Sequence, residues 1–432
     1  MTVMTRSALD ARSVQIPLDD VDVAHAKKTV VAFNPTAFRL RPAADIPPRE
    51  WLFGQHLIRG FLSLTVAPGG LGKSSMVLVE ALAMATGQSL LGDAPPEPLR
   101  VWVWNGEDPR EEIERRIAAA CLQYDIKSDD IADRLMIDSG RDVPIQIATA
   151  NGGGVQVAKP VTEALIAAIK ASKVDVLIVD PFVTSHTVPE NDTTAMNAVV
   201  AQWRLIADTT GCAIELVHHT SKAGAMNADD FGVYASRGAG ALIDGVRSAR
   251  VLSRMREEEA ERFGIEDAPA SYFRVTMGKA NLVPPEKAVW RHMVGVRLGN
   301  GRDWWLDGDT VGVCLAWVPP DAFEGVSVRD LKRVQDAIAA CEEPPKANER
   351  SAGWCGYIIA DVLGLDAGKE LKKAEQTAAQ RIARAKVRNL LSGWIKSGAI
   401  AQDTIRSARD GRDVKVIAVG EPVTAEELAG SK

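Results

Sequence analysis

The stretch FLSLTVAPGGLGKSS, residues 61–75, decides the fold of this chain. Its first six residues form a short apolar run, which is typical of a buried parallel strand. An Ala- and Leu-rich run, Ser74–Thr86, follows the glycines and predicts a helix. A strand, a glycine-rich loop and a helix in this order form the context that a phosphate-binding loop requires.

The glycine-rich loop predicts a nucleotide site. Its glycines let backbone N–H groups close around phosphate oxygens, and the helix N-terminus adds the positive end of its dipole. We expect Lys73 to reach the β- and γ-phosphates and the Ser74 hydroxyl to bind Mg²⁺. Ala67 stands where the usual spacing begins with glycine. The candidate nucleotide-binding residues are Pro68, Gly69, Gly70, Leu71, Gly72, Lys73, Ser74 and Ser75.

Strand and helix patterns alternate from Phe61 to Trp317. Further strands are predicted at Val101–Trp104, Val174–Asp180, Cys212–His219, Gly245–Met255 and Ser271–Lys279, and VGVRL and WWLDGD have the pattern of a hairpin at the sheet edge. Helices are predicted at Glu107–Gln123, Val161–Ala171 and Thr193–Thr209. Strands separated by helices indicate an α/β fold with a mostly parallel sheet.

Two carboxylates follow predicted strands. Asp180 ends an apolar strand, where α/β sheets place their ligands, and is expected to hold Mg²⁺ opposite Ser74. Glu107 follows the strand VWVW, which we expect to lie next to the P-loop strand, and a carboxylate there can polarise an attacking water. Asp108 is the competitor for this role, or it caps the following helix.

His218 and His219 close the strand CAIELVHH. Successive strand residues point to opposite faces, so only one of the two can face the γ-phosphate. An uncharged donor there is expected to sense hydrolysis and to relay it to the following loop. A structural histidine at a strand end is the alternative, and a metal site is weakly supported because no third ligand has suitable spacing.

Composition excludes several classes of protein. The chain has 432 residues, 46% of them hydrophobic and 25% charged, which are ordinary globular values. No apolar run approaches the about 18 residues that a membrane span needs, and residues 1–13 lack a secretory signal. The five cysteines have no CxxC spacing, which argues against structural zinc or disulfides and favours a cytoplasmic location.

The net charge of −6 conceals a basic segment. Between Lys369 and Lys415 there are 12 Lys and Arg against 5 Asp and Glu, a local net charge of +7. After Pro320 the pattern predicts helices at Val328–Cys341, Gly353–Leu363 and Lys369–Lys396, followed by two strands, AIAQDTI and VKVIAVG, with a turn at Asp410–Gly411. Three helices and a hairpin are typical of a winged helix.

The third of these helices is the candidate DNA contact. Its basic residues lie beside Trp394, and the Arg406–Arg412 hairpin tip is expected to act as a wing. The alternative is a solvated basic helix that docks on the acidic body of the protein. The basic residues are Arg381, Arg384, Lys386 and Arg388.

Taken together, these motifs resemble the RecA-like hexameric ATPases, specifically the plasmid RepA-type helicase family and its AAA-25 relatives. The residues that carry the resemblance are APGGLGKSS, WNGEDP, VLIVDP, TSHTVPEND, LVHHTSK and SRGAGALIDGVRS, between about Phe38 and Trp317. Compact members of the family lack the C-terminal region. Residues from about Ser327 onward resemble the winged-helix extensions of chromosomal and phage relatives.

The resemblance implies ATP and Mg²⁺ as cofactors and a role for each matching residue. Lys73 and Ser74 match the nucleotide and magnesium ligands, and Asp180 matches the carboxylate of the second motif. Glu107 matches the catalytic base, and His219 or His218 matches the strand-end sensor.

The resemblance also implies residues that act on a neighbouring subunit. Arg237 in SRGAG matches a proposed arginine finger, which would complete a neighbour's site in trans. Lys279 resembles a second trans-acting cation, but Asn281 stands where relatives often have an arginine. A finger in trans makes the active unit an oligomer, and the family implies a hexamer.

We therefore expect a flexible arm at 1–40, a RecA-like ATPase domain at 41–318, a winged-helix-like domain at 327–420 and a flexible tail at 421–432. The expected function is an ATP-dependent DNA motor, most directly a replicative helicase, whose loop Ser221–Gly232 grips single-stranded DNA in the ring. One alternative is a DNA-binding ATPase switch that loads or displaces a partner without unwinding. Another is a KaiC-like signalling ATPase with no DNA role.

Overall fold

The computed structural model describes residues 34–151, 154–220, 239–265, 269–280, 282, 288–302, 308–369, 371–406, 412–424 and 427–428. The chain divides into two compact units, Met1–Arg49 and Glu50–Lys432. In the first unit, Ala43–Asp45 form a 3₁₀ turn. The remaining elements belong to the second unit.

The described strands number fifteen. They are β1 Trp51–Phe53, β2 Leu57–Ile58, β3 Leu62–Pro68, β4 Val101–Asn105, β5 Leu135–Ser139, β6 Ala148–Asn151, β7 Gly154–Val157, β8 Val176–Asp180, β9 Ala213–Thr220, β10 Ser248–Arg254, β11 Tyr272–Ala280, β12 Val289–Arg297, β13 Thr310–Trp317, β14 Ile400–Arg406 and β15 Asp413–Val419.

Ten α-helices accompany the described strands. They are α1 Lys73–Thr86, α2 Arg110–Tyr124, α3 Ser128–Ile131, α4 Lys159–Ser172, α5 Thr193–Thr210, α6 Ala239–Gly245, α7 Glu257–Phe263, α8 Val328–Ala339, α9 Cys355–Leu363 and α10 Ala378–Lys396. None of the described helices is long and apolar enough to cross a membrane.

A nine-stranded sheet forms the centre of the fold, in the order β13-β12-β11-β10-β3-β9-β8-β4-β5. The six strands from β10 to β5 pair in parallel, and β11, β12 and β13 extend the sheet in antiparallel pairs. The predicted α/β fold with a mostly parallel sheet is therefore confirmed. One expectation about the strand order is wrong: β4 does not lie next to the P-loop strand β3, because β9 and β8 separate them.

Helices cover both faces of the sheet. Residues of α1 and α2 pack with one face, and residues of α4, α5 and α6 pack with the other. Helix α1 is buried along nearly its whole length, including Met76 and the residues up to Ala85. A helix that is apolar all round needs neighbours on every side, which explains why its sequence shows no polar face.

The antiparallel end of the sheet packs against α1 and α2. The Ser75 hydroxyl donates to the Gly312 carbonyl and accepts from the Cys314 N–H, both at 3.0 Å. The Tyr124 hydroxyl donates to the Cys314 carbonyl at 2.7 Å. These three bonds satisfy backbone groups of the edge strand β13, which would otherwise be free to pair with another chain.

A buried ionic network joins four elements beneath the phosphate loop. Arg250 of β10 forms a bidentate pair with Glu80 of α1, at 2.7 and 2.5 Å, and its Nε donates to Thr65 of β3. Thr65 in turn donates to Glu215 of β9, whose second oxygen lies 2.7 Å from His56 Nε2. All five side chains are buried.

The contacts within this network favour the charged forms of Arg250 and Glu215. Burial acts against the charge of Arg250, but the charges of Glu80 and Glu215 outweigh it and raise the pKa of Arg250. Burial likewise acts to raise the pKa of Glu215. Its contacts with His56, Arg250 and Thr65 outweigh burial and hold that pKa below its ordinary value.

The C-terminal region contains α8, α9 and α10 followed by the antiparallel hairpin β14–β15, in the order predicted. It has an apolar core of its own, in which Trp354, Leu390 and Trp394 are buried. The third helix is shorter than expected, because Thr377 caps its N-terminus by accepting from Gln380 N–H. The WWLDGD segment and the Asp410–Gly411 turn fall at least partly outside the described residues.

Helix α10 packs against α7, the helix between β10 and β11. Arg388 donates to the Glu261 carbonyl, and the Asn389 amide donates to the Arg262 carbonyl at 2.7 Å. Gly264, which ends α7, approaches α10 so closely that a Cβ there would lie 2.9 Å from Ile382 Cα. The predicted boundary between the ATPase and winged-helix-like domains stays a prediction, since the structure shows one compact unit across it.

Replacing Arg250 with Met should destabilise the protein strongly. The substitution leaves the buried carboxylates of Glu80 and Glu215 without their cation, and breaking a buried pair in this way costs about 3–5 kcal/mol. Urea or guanidinium denaturation measures the free energy of unfolding. Arg254→Met is the matched control, because Arg254 is exposed on the same strand and should change stability by no more than about 0.5 kcal/mol. Equal effects of the two variants would contradict the prediction.

Candidate functional site

The candidate site lies at one edge of the sheet, where parallel strands β3, β4, β8 and β9 reach their C-terminal ends. Strand alternation aims Asp180 and His219 at the same face. On β8, Ile178 packs with α1, so Asp180, two residues later, points to that face; on β9, Val217 and His219 are related in the same way. This face also carries Lys73 at the start of α1.

The phosphate loop has the conformation that its glycines allow. Gly70 and Gly72 have φ values of +71° and +96°, and Gly72 is the N-terminal cap of α1. A Cβ at Gly72 would also lie 2.7 Å from the Met293 sulfur. Ala67 is different: it is a buried residue of β3, paired with His219 and without a positive φ, so alanine fits this position.

Lys73 and His219 are in direct contact. Lys73 Nζ lies 2.9 Å from His219 Nε2. Burial lowers the pKa of Lys73, while the charges of Asp180 and Glu107 oppose the shift. Burial and the Lys73 charge also lower the pKa of His219. A neutral His219 that accepts a hydrogen bond from the Lys73 ammonium is consistent with the lowered pKa values of both groups.

Ser74 and Asp180 meet as predicted for a magnesium site. Burial raises the pKa of Asp180, and the Lys73 charge and a hydrogen bond from the Ser74 side chain oppose that rise. A hydroxyl and a carboxylate are hard oxygen donors, which Mg²⁺ prefers. The donor set present therefore fits Mg²⁺ bound together with nucleotide phosphates. Among the described residues, three or more His, Cys, Asp or Glu side chains nowhere form a cluster suited to a metal on its own.

Glu107 and Asp108 have different surroundings. The Asp108 carboxylate pairs with Arg116 at 2.8 Å and accepts a longer hydrogen bond, at 3.5 Å, from the side-chain Nδ2 of Asn105. Glu107 is exposed at the edge of the site, and its charge contributes to the pKa values of both Lys73 and His219. The Asn105 side chain fixes this turn by accepting from the N–H groups of both acids.

His218 points away from the phosphate loop. It is buried on the opposite face, where its ring meets the edge of Phe182 and its Nδ1 lies 3.6 Å from a Glu190 oxygen. His186 also contacts Phe182, with the two ring centroids 4.9 Å apart. Only His219 of the pair contacts Lys73, in accord with the alternation of strand residues.

Other predicted site residues lie elsewhere. Lys279 is at the opposite end of the sheet, beside Ala249 at the start of β10, and donates to the carbonyls of Ile243 and Asp244. It is not part of the site of its own chain. Arg237, Asn281 and the loop Ser221–Gly232 fall outside the described residues.

The structure adds residues that the sequence analysis missed. A cavity of about 320 Å³ at the phosphate loop is lined by Glu112 and Arg116 of α2 and by Thr310, Val311 and Gly312 of β13. The spacing of Glu112 and Arg116, one helical turn apart after the NGEDP motif, was the available signal for α2. No local pattern marked β13, which is remote in sequence.

Comparison with known proteins agrees with this site. Residues 28–225 match the family model AAA-25, which is described as an AAA domain. Among solved structures, the chain is similar to one titled "Crystal structure of the RadB recombinase", with 11% sequence identity and a TM-score of 0.36. That similarity covers 55% of this chain and 88% of the other.

Stability should fall on acidification because buried histidines resist protonation. Burial lowers the pKa values of His186 and His218 to about 4, below the ordinary 6.5. The unfolded state therefore binds more protons between these values, and each histidine should cost about 2 kcal/mol of stability between pH 7 and pH 5. Denaturant titrations at the two pH values measure this loss.

His186→Phe isolates one contribution. The phenyl ring keeps the contact with Phe182 and cannot titrate, so the variant should lose about 2 kcal/mol less than the parent between pH 7 and pH 5. His292→Gln is the control, because His292 is only partly buried and should change the pH dependence less. An unaltered pH dependence in His186→Phe would contradict the interpretation.

Proposed function

We propose that this protein is an ATP- and Mg²⁺-dependent DNA motor of the RecA-like ring type, with replicative helicase activity as its specific function. The observation that carries the ATPase part is the convergence of Lys73, Ser74, Asp180 and His219 at the C-terminal edge of one sheet. The match of residues 28–225 to an AAA domain supports the same chemistry.

Each residue has a task in ATP hydrolysis. The backbone N–H groups of the phosphate loop and the Lys73 ammonium bind the β- and γ-phosphates. Ser74 and Asp180 hold Mg²⁺, which when bound neutralises developing charge on the phosphates. Glu107 orients and polarises the attacking water, since it is exposed at the site edge whereas Asp108 is committed to Arg116.

His219 links the nucleotide to strand β9. The Lys73 ammonium donates either to His219, as in this structure, or to a γ-phosphate oxygen. Nucleotide binding and hydrolysis therefore change the partner of His219. Because His219 is the second-last residue of β9, this change is passed to the loop that follows, Ser221–Gly232, which we propose as the segment that grips single-stranded DNA.

Ring assembly and the helicase assignment rest on the resemblance to RepA-type ATPases. In that family an arginine completes the neighbouring site, and Arg237 in SRGAG is the matching residue. We propose that Arg237 acts in trans on a neighbour's γ-phosphate and that Lys279 assists it, in a homo-oligomer that is a hexamer. Arg237 and Lys279 are both far from the phosphate loop in the sequence, which is compatible with a role in the site of a neighbouring subunit.

A second candidate function is an ATPase switch that binds DNA and loads or displaces a partner without unwinding. The direct contact between α10 and α7 favours it, because this contact connects the C-terminal region to the ATPase core. In this candidate the nucleotide state alters the accessibility of the C-terminal region.

Glu107→Gln should abolish most hydrolysis and leave ATP binding intact. Loss of a general base costs about 10²- to 10⁴-fold in kcat, while the nucleotide contacts made by Lys73 and Ser74 remain. Asp108→Asn is the matched control, one residue away and with the same change of charge, and should cost less than about tenfold. Steady-state hydrolysis gives kcat, with Lys73→Ala as the inactive background. A larger loss in Asp108→Asn would reverse the two roles.

Single-stranded DNA should stimulate steady-state ATP hydrolysis by the full-length protein at fixed salt. A motor couples hydrolysis to movement along a strand, so the rate rises when the strand is bound. The control is Lys73→Ala, which should show no hydrolysis with or without DNA. Strand displacement then separates the helicase from the switch, and a rate indifferent to DNA would contradict the motor.

A further inference from the structure

A second cavity lies between α7 and the C-terminal helices. We call it the basic cleft: it has a volume of about 690 Å³ and is lined by Gly264, the loop 348–352, the first half of α10, and Lys369, Leu371, Lys372 and Gln376. Its size is within the range of about 300–1,000 Å³ that encloses a small ligand. It is distinct from the nucleotide site, with which it shares no residue.

Basic side chains dominate the walls of the cleft. Six Lys and Arg face two acids, Glu261 and Glu349. The cations are Arg350, Lys369, Lys372, Arg381, Arg384 and Arg388. Such an excess of one sign inside a concave surface attracts anions.

Part of this charge is used within the protein. Glu349 pairs with Arg384 at 2.8 Å and with Arg388 at 3.3 Å. Arg384 also stacks over the rings of Trp354 and Tyr357, at 4.8 and 5.4 Å from their centroids. Arg384 and Arg388 therefore form the floor of the cleft and fix its shape.

Arg381 is also engaged, because it donates to the Gln376 carbonyl at 3.0 Å, so three of the six cations remain available to a ligand. Arg350, Lys369 and Lys372 are exposed, and no acidic side chain among the described residues pairs with them. Lys369 makes a cation–π contact with Tyr357 at 6.0 Å. Like charges that are close together in a cleft repel each other. A polyanion bound there would reduce this electrostatic repulsion.

The side chains that line the cleft are suited to phosphates and not to stacked bases. Its aromatic side chain, Tyr357, is buried, with Arg384 and Lys369 near its ring and the Trp354 edge against it. Proteins that stack bases leave aromatic faces open to the strand. Contacts to the backbone alone carry no sequence information, so binding here is independent of base sequence.

The arrangement of α10 excludes the usual alternative. A recognition helix enters the major groove of duplex DNA with one open face. From Ala383 to Ile395, every residue of α10 except Ser392 is buried or partly buried, and the contacts of Arg388 and Asn389 with α7 cover one side. The basic cleft, in contrast, is open while this contact is in place.

We propose that the basic cleft binds the phosphodiester backbone of single-stranded DNA through Arg350, Lys369 and Lys372, with Arg384 and Arg388 as its structural floor. A cavity of about 690 Å³ has room for only a short stretch of one strand. The proposal rests on the proposed function, because it assigns a second contact to the same strand. It adds residues that neither the phosphate loop nor the resemblance indicates.

The test is binding of a fluorescent oligothymidine by the full-length protein, followed by anisotropy without nucleotide over a series of salt concentrations. In the variant Lys369→Gln/Lys372→Gln, two phosphate contacts are lost. Each contact contributes about 0.7 to the salt slope for a single strand, so the slope should fall by about 1.4 and the Kd at low salt should rise about tenfold. Basal ATP hydrolysis and thermal unfolding should not change.

Arg329→Gln/Lys396→Gln is the matched control. Both residues are exposed in the same C-terminal region and do not line the cleft, and Lys396 lies about 22 Å from Arg381 along α10. The charge removed is the same, so the control should change Kd by less than about twofold. Equal effects of the two double variants would show that general charge, and not the cleft, binds DNA.

The remaining outcomes separate the cleft from the motor. The proposal that the cleft binds DNA is contradicted if the wild-type protein binds no single-stranded DNA, or if the cleft variant binds it as tightly as the wild type. Stronger binding of duplex than of single strand, or displacement of the strand by inorganic pyrophosphate at matched ionic strength, also overturns it. If DNA binding depends on the cleft but does not stimulate ATP hydrolysis, the result supports DNA binding by the cleft and contradicts the proposed motor function.

Discussion

The buried guanidinium of Arg250 is the interaction on which the site most depends. It binds Glu80 of the P-loop helix and Thr65 of the P-loop strand, and through Thr65 it reaches Glu215 of β9, the strand that carries His219. An unpaired charge at this depth is costly, so the partners must stay in register. The network thereby fixes α1, which begins at Lys73, and β9, which carries His219, relative to each other.

The site edge then follows from strand geometry. With β3, β8 and β9 adjacent and parallel, the last residues of each strand lie side by side. Alternation directs Asp180 and His219 to the α1 face and sends His218 to the other, where Phe182 and Glu190 receive it. The antiparallel strand β13 lines the same cavity. Ser75 of α1 holds this strand in place through hydrogen bonds to its backbone.

The C-terminal region shows how a local charge divides between folding and binding. The basic residues of α10 suggest a DNA-reading helix, yet Arg384 and Arg388 are engaged by Glu349, and Lys386 donates to the Glu324 carbonyl. The cations left for a partner lie largely beside the helix. A net charge in sequence therefore locates a basic region but does not identify which of its side chains face solvent.

The sequence by itself determined the α/β class, the phosphate loop and the candidate residues Lys73, Ser74, Asp180 and Glu107, because these depend on local patterns at strand ends. The tertiary structure decided what depends on contacts remote in sequence: the two strands that separate β4 from β3, the choice of His219 over His218 as the partner of Lys73, and the lining of the phosphate-loop cavity by Arg116 and β13. Strand order and side-chain pairing are set by packing between segments far apart in the chain, which no local pattern encodes.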